Sequence, residues 1–155
     1  MPTEIERKFL VKNKDWRSHA DAGTAIRQGY LNPGKERNVR VRQKGDQAFL
    51  TIKGKTEGIS RLEFEYEIPL TDALELFKLC DQPMIEKTRY LVKGPDALTW
   101  ELDVFEGENQ GLIIAEIEVE SEDSTFAIPH WAGEEVSHDS RYFNASLNKL
   151  PYSKW

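Results

Sequence analysis

The sequence predicts a mainly β protein with a few peripheral helices, its eight antiparallel strands forming a closed barrel or a sandwich. Three observations predict it. Apolar and polar residues alternate with a period of two through most of the chain, the signature of a strand with one face buried. The marked segments are joined by turns such as Asn32-Pro33-Gly34, Gly45-Asp46 and Gly94-Pro95-Asp96. Several are of hairpin length, too short for the crossovers that parallel strands need. Helical spacing appears in three short stretches only, which leaves few helices to cover a sheet.

The elements follow in order. Strands are expected at residues 4–11, 25–31, 39–44, 48–53, 63–68, 84–92, 98–105 and 113–120, with further turns at Gly54 to Gly58 and Gly107 to Gly111. A short helix is expected around residues 15–22. A second, over 71–81, takes Thr71 or Asp72 as its N-cap, carries Leu74, Phe77 and Cys80 on one face, and stops before Pro83. A third, over 139–150, carries Tyr142, Phe143, Ala145, Leu147 and Leu150. With no linker, repeat or low-complexity tract, residues 1–155 read as one domain.

Composition narrows the function. The net charge of -6 argues against a nucleic-acid polymer or an anionic membrane as partner, since both require a basic face. No stretch approaches the roughly 20 apolar residues of a membrane span. The start of the chain is polar and lacks the apolar run of a leader peptide. The single cysteine, Cys80, cannot form an internal disulfide, and its apolar helical setting suits a buried thiol. A cytoplasmic protein is the expectation.

The polar positions of the strands carry the functional argument. Acidic residues two apart occur at Glu4/Glu6, Glu63/Glu65/Glu67, Glu101/Asp103 and Glu116/Glu118/Glu120. Basic pairs at the same spacing occur at Arg40/Arg42, Lys53/Lys55 and Lys87/Arg89, while Lys8 and Arg61 extend two of the acidic strands. The positions between them are mostly apolar, among them Ile5, Val41, Phe64, Tyr66, Tyr90, Leu102 and Ile117. One face of the sheet is therefore greasy and the other ionic. Any one pair fits a solvated outer surface. Seven strands segregated by sign do not, because like charges on one face repel and a solvated sheet gains nothing by collecting them. A polyphosphate with bound metal needs that separation: Lys and Arg neutralise phosphate oxygens, and carboxylates bind the hard cations Mg²⁺ and Mn²⁺.

In this pattern the chain resembles the CYTH superfamily, the triphosphate tunnel metalloenzymes. The family's opening E-x-E-x-K reads here Glu4-Ile5-Glu6-Arg7-Lys8. The R-x-R of Arg40-Val41-Arg42, then Lys53, and Glu63-Phe64-Glu65 follow in family order. Glu86-Lys87-Thr88-Arg89-Tyr90, Glu101-Leu102-Asp103, Glu116-Ile117-Glu118 and Asp139-Ser140-Arg141-Tyr142 complete the series. The resemblance covers nearly the whole chain and is greatest to short bacterial members that act as inorganic triphosphatases. It implies an eight-stranded antiparallel β-barrel forming a tunnel, with a C-terminal helix across one end. It implies that Glu4, Glu6, Glu116 and Glu118 hold the divalent metal, Mg²⁺ or Mn²⁺, with Glu63, Glu65 and Asp103 nearby. It further implies that Lys8, Arg40, Arg42, Lys53, Lys87, Arg89 and Arg141 cradle a small-molecule triphosphate.

The expected reaction is metal-dependent hydrolysis of tripolyphosphate to pyrophosphate and phosphate. Lys8 beside Tyr30 is one candidate for the base, if crowding by other cations lowers the lysine pKa; water activated by the metal is the other. Three further functions use the same framework: a class IV-type adenylate cyclase, a thiamine triphosphatase, and a non-catalytic polyphosphate- or nucleotide-binding module. A homodimer through the apolar exterior is left open. Other chemistry finds no footing. His19, His130 and His138 lack ligand spacing, Gly54-Lys55-Thr56 lacks the upstream glycine of a P-loop, and no serine elbow is present.

Overall fold

The computed structural model describes residues 3–155; Met1 and Pro2, which begin the polar start, lie outside the described residues. Nine strands occur among them: β1 (Thr3–Val11), β2 (Thr24–Asn32), β3 (Arg37–Lys44), β4 (Gln47–Gly54), β5 (Ser60–Ile68), β6 (Ile85–Lys93), β7 (Thr99–Phe105), β8 (Ile113–Glu118) and β9 (Ala132–Glu135). They pair in the order β5-β4-β3-β2-β6-β7-β8-β1-β9, and β5 also pairs with β1, which closes eight strands into a barrel. Every pairing is antiparallel. The closing seam is short, Thr3, Glu4 and Ile5 opposite Leu62, Arg61 and Ser60. Farther along β1, β9 pairs with Phe9 and Val11.

The helices depart from expectation in informative ways. The first is a 3-10 turn, Asp15–His19, which buries Trp16 against Tyr90. The second, α1 (Leu70–Phe77), starts one residue earlier than expected because the carbonyl of Pro69, not a Thr71 or Asp72 side chain, accepts from the N–H groups of Asp72 and Ala73. Its buried residues are Ala73 and Phe77, with Cys80 packed beside them just past its end, whereas Leu74 is 44% exposed. The third is broken by the extended backbone of Phe143 into a 3-10 turn at Ser140–Tyr142 and α2 (Asn144–Lys149).

The greasy face points outward and is covered in patches. Phe9, Trp16, Val92, Trp100, Leu102, Ala115, Ile117 and Trp131 form one cluster, with Trp131 edge-on to Trp100 at 5.5 Å. Val41 and Ala48 pack under α1, where burial pushes the Cys80 thiol pKa up. A third cluster, Tyr30, Ile85, Phe105, Leu112, Ile114, Val136, Tyr142 and Leu147, carries inward-facing strand residues and plugs one end of the interior beneath α2. Ile52, Leu62, Phe64 and Tyr66 on β4 and β5 stay exposed, Tyr66 by 55%. Among the described residues no helix is long and apolar enough to cross a membrane.

Candidate functional site

Strand order sorts the charges. The four strands rich in inward carboxylates, β7, β8, β1 and β5, are consecutive around the barrel. Of the remaining four, β6, β3 and β4 supply Lys87, Arg89, Arg40, Arg42 and Lys53, while β2 contributes the neutral Gln28 and Tyr30. The interior is thus divided into an acidic half and a basic half facing one another. Because side chains alternate along a strand, residues two apart reach the same space, which turns the sequence pattern into a lining. A cavity of about 300 Å³ occupies this space and is lined by Glu4, Glu6, Lys8, Tyr30, Arg40, Arg42, Lys53, Glu63, Glu65, Arg89, Glu116 and Glu118 among others.

Ion pairs join the basic side chains to carboxylates between and within the two halves. Arg89 donates to Asp103 from Nε at 2.8 Å and from Nη2 at 2.9 Å, and Lys87 Nζ donates to the same carboxylate at 2.6 Å. Lys53 Nζ donates to Glu4 Oε2 at 3.0 Å. Lys8 Nζ donates to Glu116 at 2.8 Å and to Glu6 at 3.0 Å. Arg42 differs: it forms no ion pair among the described residues, and its Nε donates to the neutral Gln28 Oε1 at 2.8 Å. Burial pushes the Arg42 pKa down to about 9, with Arg40 and Arg89 adding to the effect, so it remains a cation at neutral pH while its solvation is poor. A buried guanidinium in that condition favours an incoming anion.

The structure assembles most, not all, of the residues expected from sequence. Lys8 and Tyr30 both line the cavity, but the cations expected to lower the Lys8 pKa are replaced by carboxylates. Burial alone would lower it; Glu116 and Glu6 outweigh burial and raise it well above the ordinary lysine value. Lys8 is therefore a fixed charge. Burial also raises the Tyr30 pKa, against the opposing pull of Arg40 and Arg42, so it stays a phenol and a donor. Lys87 is 1% exposed and stands behind the lining on Asp103 and Asn144. Burial brings its pKa down to about 7, with Arg89 and Arg42 adding to the shift and Asp103 opposing it. Asp103, expected near the metal, is fully buried. Burial would raise its pKa, but Arg89 and Lys87 hold it far below the carboxylate range. Arg141 is absent from the lining: it pairs with Asp139 at 2.7 Å on the surface, its guanidinium 4.7 Å from the Trp155 ring centre.

Further residues, some charged and some neutral, complete the lining. Arg61, which extends the acidic run of β5, lines the cavity, and Lys55 lies at an adjoining pocket near the β2–β3 turn. Glu101 lines the cavity opposite Glu116 in register, the position Asp103 had been expected to fill. Ser137, Asn38 and Asn144 also contribute. Asn38 is neutral but in phase with Arg40 and Arg42 on β3, Ser137 follows β9, and Asn144 comes from α2. Charge spacing names Arg61 and Glu101, but it does not say that Glu101, in place of Asp103, lines the cavity.

The carboxylates suit a hard divalent cation. Glu4, Glu6, Glu101, Glu116 and Glu118 offer only oxygen donors to the cavity. Burial and the neighbouring Glu4, Glu6 and Glu101 raise the Glu118 pKa, and Glu118 belongs to no ion pair among the described residues. That crowding is what a bound cation relieves. Among the described residues no group of three or more acidic, histidine or cysteine side chains is disposed to hold a metal unaided. A hard divalent cation held by fewer carboxylates would complete its shell with phosphate and water oxygens.

An antiparallel barrel whose interior is divided into acidic and basic walls defines an anion-binding, cation-assisted site of the triphosphate-tunnel type. The CYTH domain model matches residues 2–152, and the chain belongs to that family. It is 48% identical to an inorganic triphosphatase of Acetivibrio thermocellus, over 100% of this chain and 99% of that protein. It is 44% identical to an inorganic triphosphatase of Nitrosomonas europaea, over 94% and 96% of the two chains. A crystal structure of the inorganic triphosphatase NE1496 superposes with a TM-score of 0.68 at 40% identity, covering 96% of this chain and 95% of the other.

Proposed function

We propose that the protein hydrolyses a triphosphate, foremost inorganic tripolyphosphate, to pyrophosphate and phosphate inside the barrel, with Mg²⁺ or Mn²⁺ as cofactor. The observation that carries this reading is the division of one cavity into facing acidic and basic walls. The relatives at 48% and 44% identity, both inorganic triphosphatases, support the substrate.

Phosphoryl transfer asks a protein mainly to position groups and stabilise charge. In this reading Arg40, Arg42, Lys53 and Arg89 hold the phosphate oxygens, Arg42 through the fork nitrogens left free of carboxylate. Lys8 and Arg61 add positive charge from the acidic wall, and the Tyr30 hydroxyl is a neutral donor at the apolar end of the cavity. Glu4, Glu6, Glu116 and Glu118 would hold the metal, with Glu101 in place of Asp103. When bound, the ion supplies Lewis-acid stabilisation of phosphate oxygens. Glu63 and Glu65 close the acidic wall beside Lys53 and Arg40. The reading includes a cytoplasmic location, supported by the lone thiol of Cys80. A homodimer, if formed, would use the exposed Ile52, Leu62, Phe64 and Tyr66.

The test is phosphate release from tripolyphosphate, thiamine triphosphate and ATP, each with Mg²⁺, Mn²⁺ or Ca²⁺, with cyclic AMP measured in the same reactions. The expected result is metal-dependent release of phosphate, fastest from tripolyphosphate. Cyclic AMP as the main product of ATP, or no release from any of the three, contradicts it.

A further inference from the structure

Asn144, the first residue of α2, lies 116 residues from Gln28 yet meets it inside the barrel. An asparagine at a helix start commonly turns its oxygen onto the helix's own N–H groups. Asn144 does not. Its Oδ1 accepts from Gln28 Nε2 at 3.0 Å and from Lys87 Nζ at 3.1 Å.

Chemistry fixes both amide orientations. Lys87 Nζ donates to Asp103 and faces the same Asn144 oxygen that accepts from Gln28 Nε2. A guanidinium can only donate, so the Gln28 atom facing Arg42 Nε at 2.8 Å is also an oxygen, which leaves Gln28 Nε2 for Asn144. An unbroken chain of hydrogen bonds therefore runs from Arg42 through Gln28, Asn144, Lys87 and Asp103 to Arg89. It joins the phosphate-facing cations of β3 and β6 by way of a helix from the other end of the chain. The two N–H bonds of the Asn144 amide find no acceptor among the described residues, and Asn144 is part of the cavity wall.

We propose that Asn144 both contacts and positions the substrate: its oxygen fixes Arg42 and Lys87 relative to one another through this chain, and its amide nitrogen donates to a phosphate oxygen. The role rests on the triphosphate reading of the cavity. A neutral donor at this point orients the anion without adding another charge to a wall that already holds Arg40, Arg42 and Arg89.

The test uses Asn144→Asp, Asn144→Ala and Asn148→Ala in the full chain. Asn144→Asp keeps an acceptor oxygen for Gln28 and Lys87 but turns a negative oxygen toward the phosphate. Asn148 donates to the Pro83 carbonyl at 2.7 Å and anchors α2 away from the cavity. Three quantities are read: melting temperature, tripolyphosphate binding by calorimetry without metal, and KM and kcat with metal. Asn144→Asp is expected to keep the parent melting temperature within a few degrees while weakening binding and raising KM about tenfold or more. Asn144→Ala is expected to lower kcat as well, and Asn148→Ala to lower the melting temperature with KM unchanged. Binding by Asn144→Asp as tight as the parent's overturns the proposal, as does a rise in KM for Asn148→Ala equal to that for Asn144→Asp. A parent chain that does not bind tripolyphosphate contradicts the triphosphate reading instead.

Discussion

Arg89 grips Asp103 through two parallel hydrogen bonds, Nε to Oδ1 at 2.8 Å and Nη2 to Oδ2 at 2.9 Å, in a part of the barrel interior closed to water. With Lys87 on the same carboxylate, Asp103 is the shared counter-charge of two buried basic side chains. Asp103→Asn would leave the buried Arg89 short of its counter-charge, so it is expected to destabilise the fold by about 3–5 kcal/mol in denaturant unfolding. Glu65→Gln removes a partner that is 41% exposed and lies 3.8 Å from Arg40; the expected loss is below about 1 kcal/mol. Equal losses for the two variants would contradict this ranking.

The two arginines at positions 42 and 141 separate the cavity from the surface. Arg42 is buried beside Gln28, and Arg141 pairs with Asp139 outside the lining. In steady-state assays Arg42→Ala is expected to lower kcat/KM by roughly a hundredfold, the scale of losing a preorganised charged donor. Arg141→Ala is expected to lose at least tenfold less than that. A larger loss at Arg141 would mean that the C-terminal segment folds inward during turnover.

Protons should compete with the metal. The Glu101 pKa is raised by burial and by Glu116, and that of Glu118 by burial and by Glu4, Glu6 and Glu101. Both groups therefore take up protons at a higher pH than ordinary glutamates. As pH falls, the metal concentration giving half-maximal rate is expected to rise before the fold is lost, and added metal should restore the rate. An activation constant that stays flat as the pH falls toward the ordinary glutamate value would contradict the assignment of these carboxylates.

Lys87 gives a stability signature of definite sign. Its folded pKa, about 7, lies below the 10.5 of an unperturbed lysine. Between those values the unfolded chain holds a proton that the folded chain does not, so stability rises with pH across the window. The slope is at most about 1.4 kcal/mol per pH unit for one proton. Unfolding at pH 7 and at pH 9.5 should show this rise in the parent and a smaller one in Lys87→Met. Identical slopes would place the Lys87 proton elsewhere.

The strands were legible because most inward positions around the cavity are charged and most outward ones apolar, so the period of two survives even in β5, whose outer side chains remain exposed. β9 was not legible: Ala132–Glu135 is four residues without alternation, and its Gly133 lies close under the Leu10 backbone, where contact and not pattern decides. The C-terminal helix was predicted as continuous because Tyr142, Phe143 and Leu147 have helical spacing. Asp139 instead accepts from the Arg141 N–H and caps a separate turn, and Phe143 is extended. In the site, charge in the sequence located the walls but not the pairing between them. Asp103 and Glu101 have the same spacing and charge, and only the register with Arg89 and Glu116 divides one from the other. Gln28 and Asn144 are neutral and 116 residues apart, so no local pattern could join them.

The most direct measurement is a crystal structure with Mn²⁺ and a non-hydrolysable imido analogue of tripolyphosphate. The account predicts anomalous density for the ion among Glu4, Glu6, Glu116 and Glu118, with phosphate oxygens on Arg40, Arg42 and Arg89. An analogue bound on the outer surface, or an interior holding neither ion nor phosphate at saturating concentration, would contradict it.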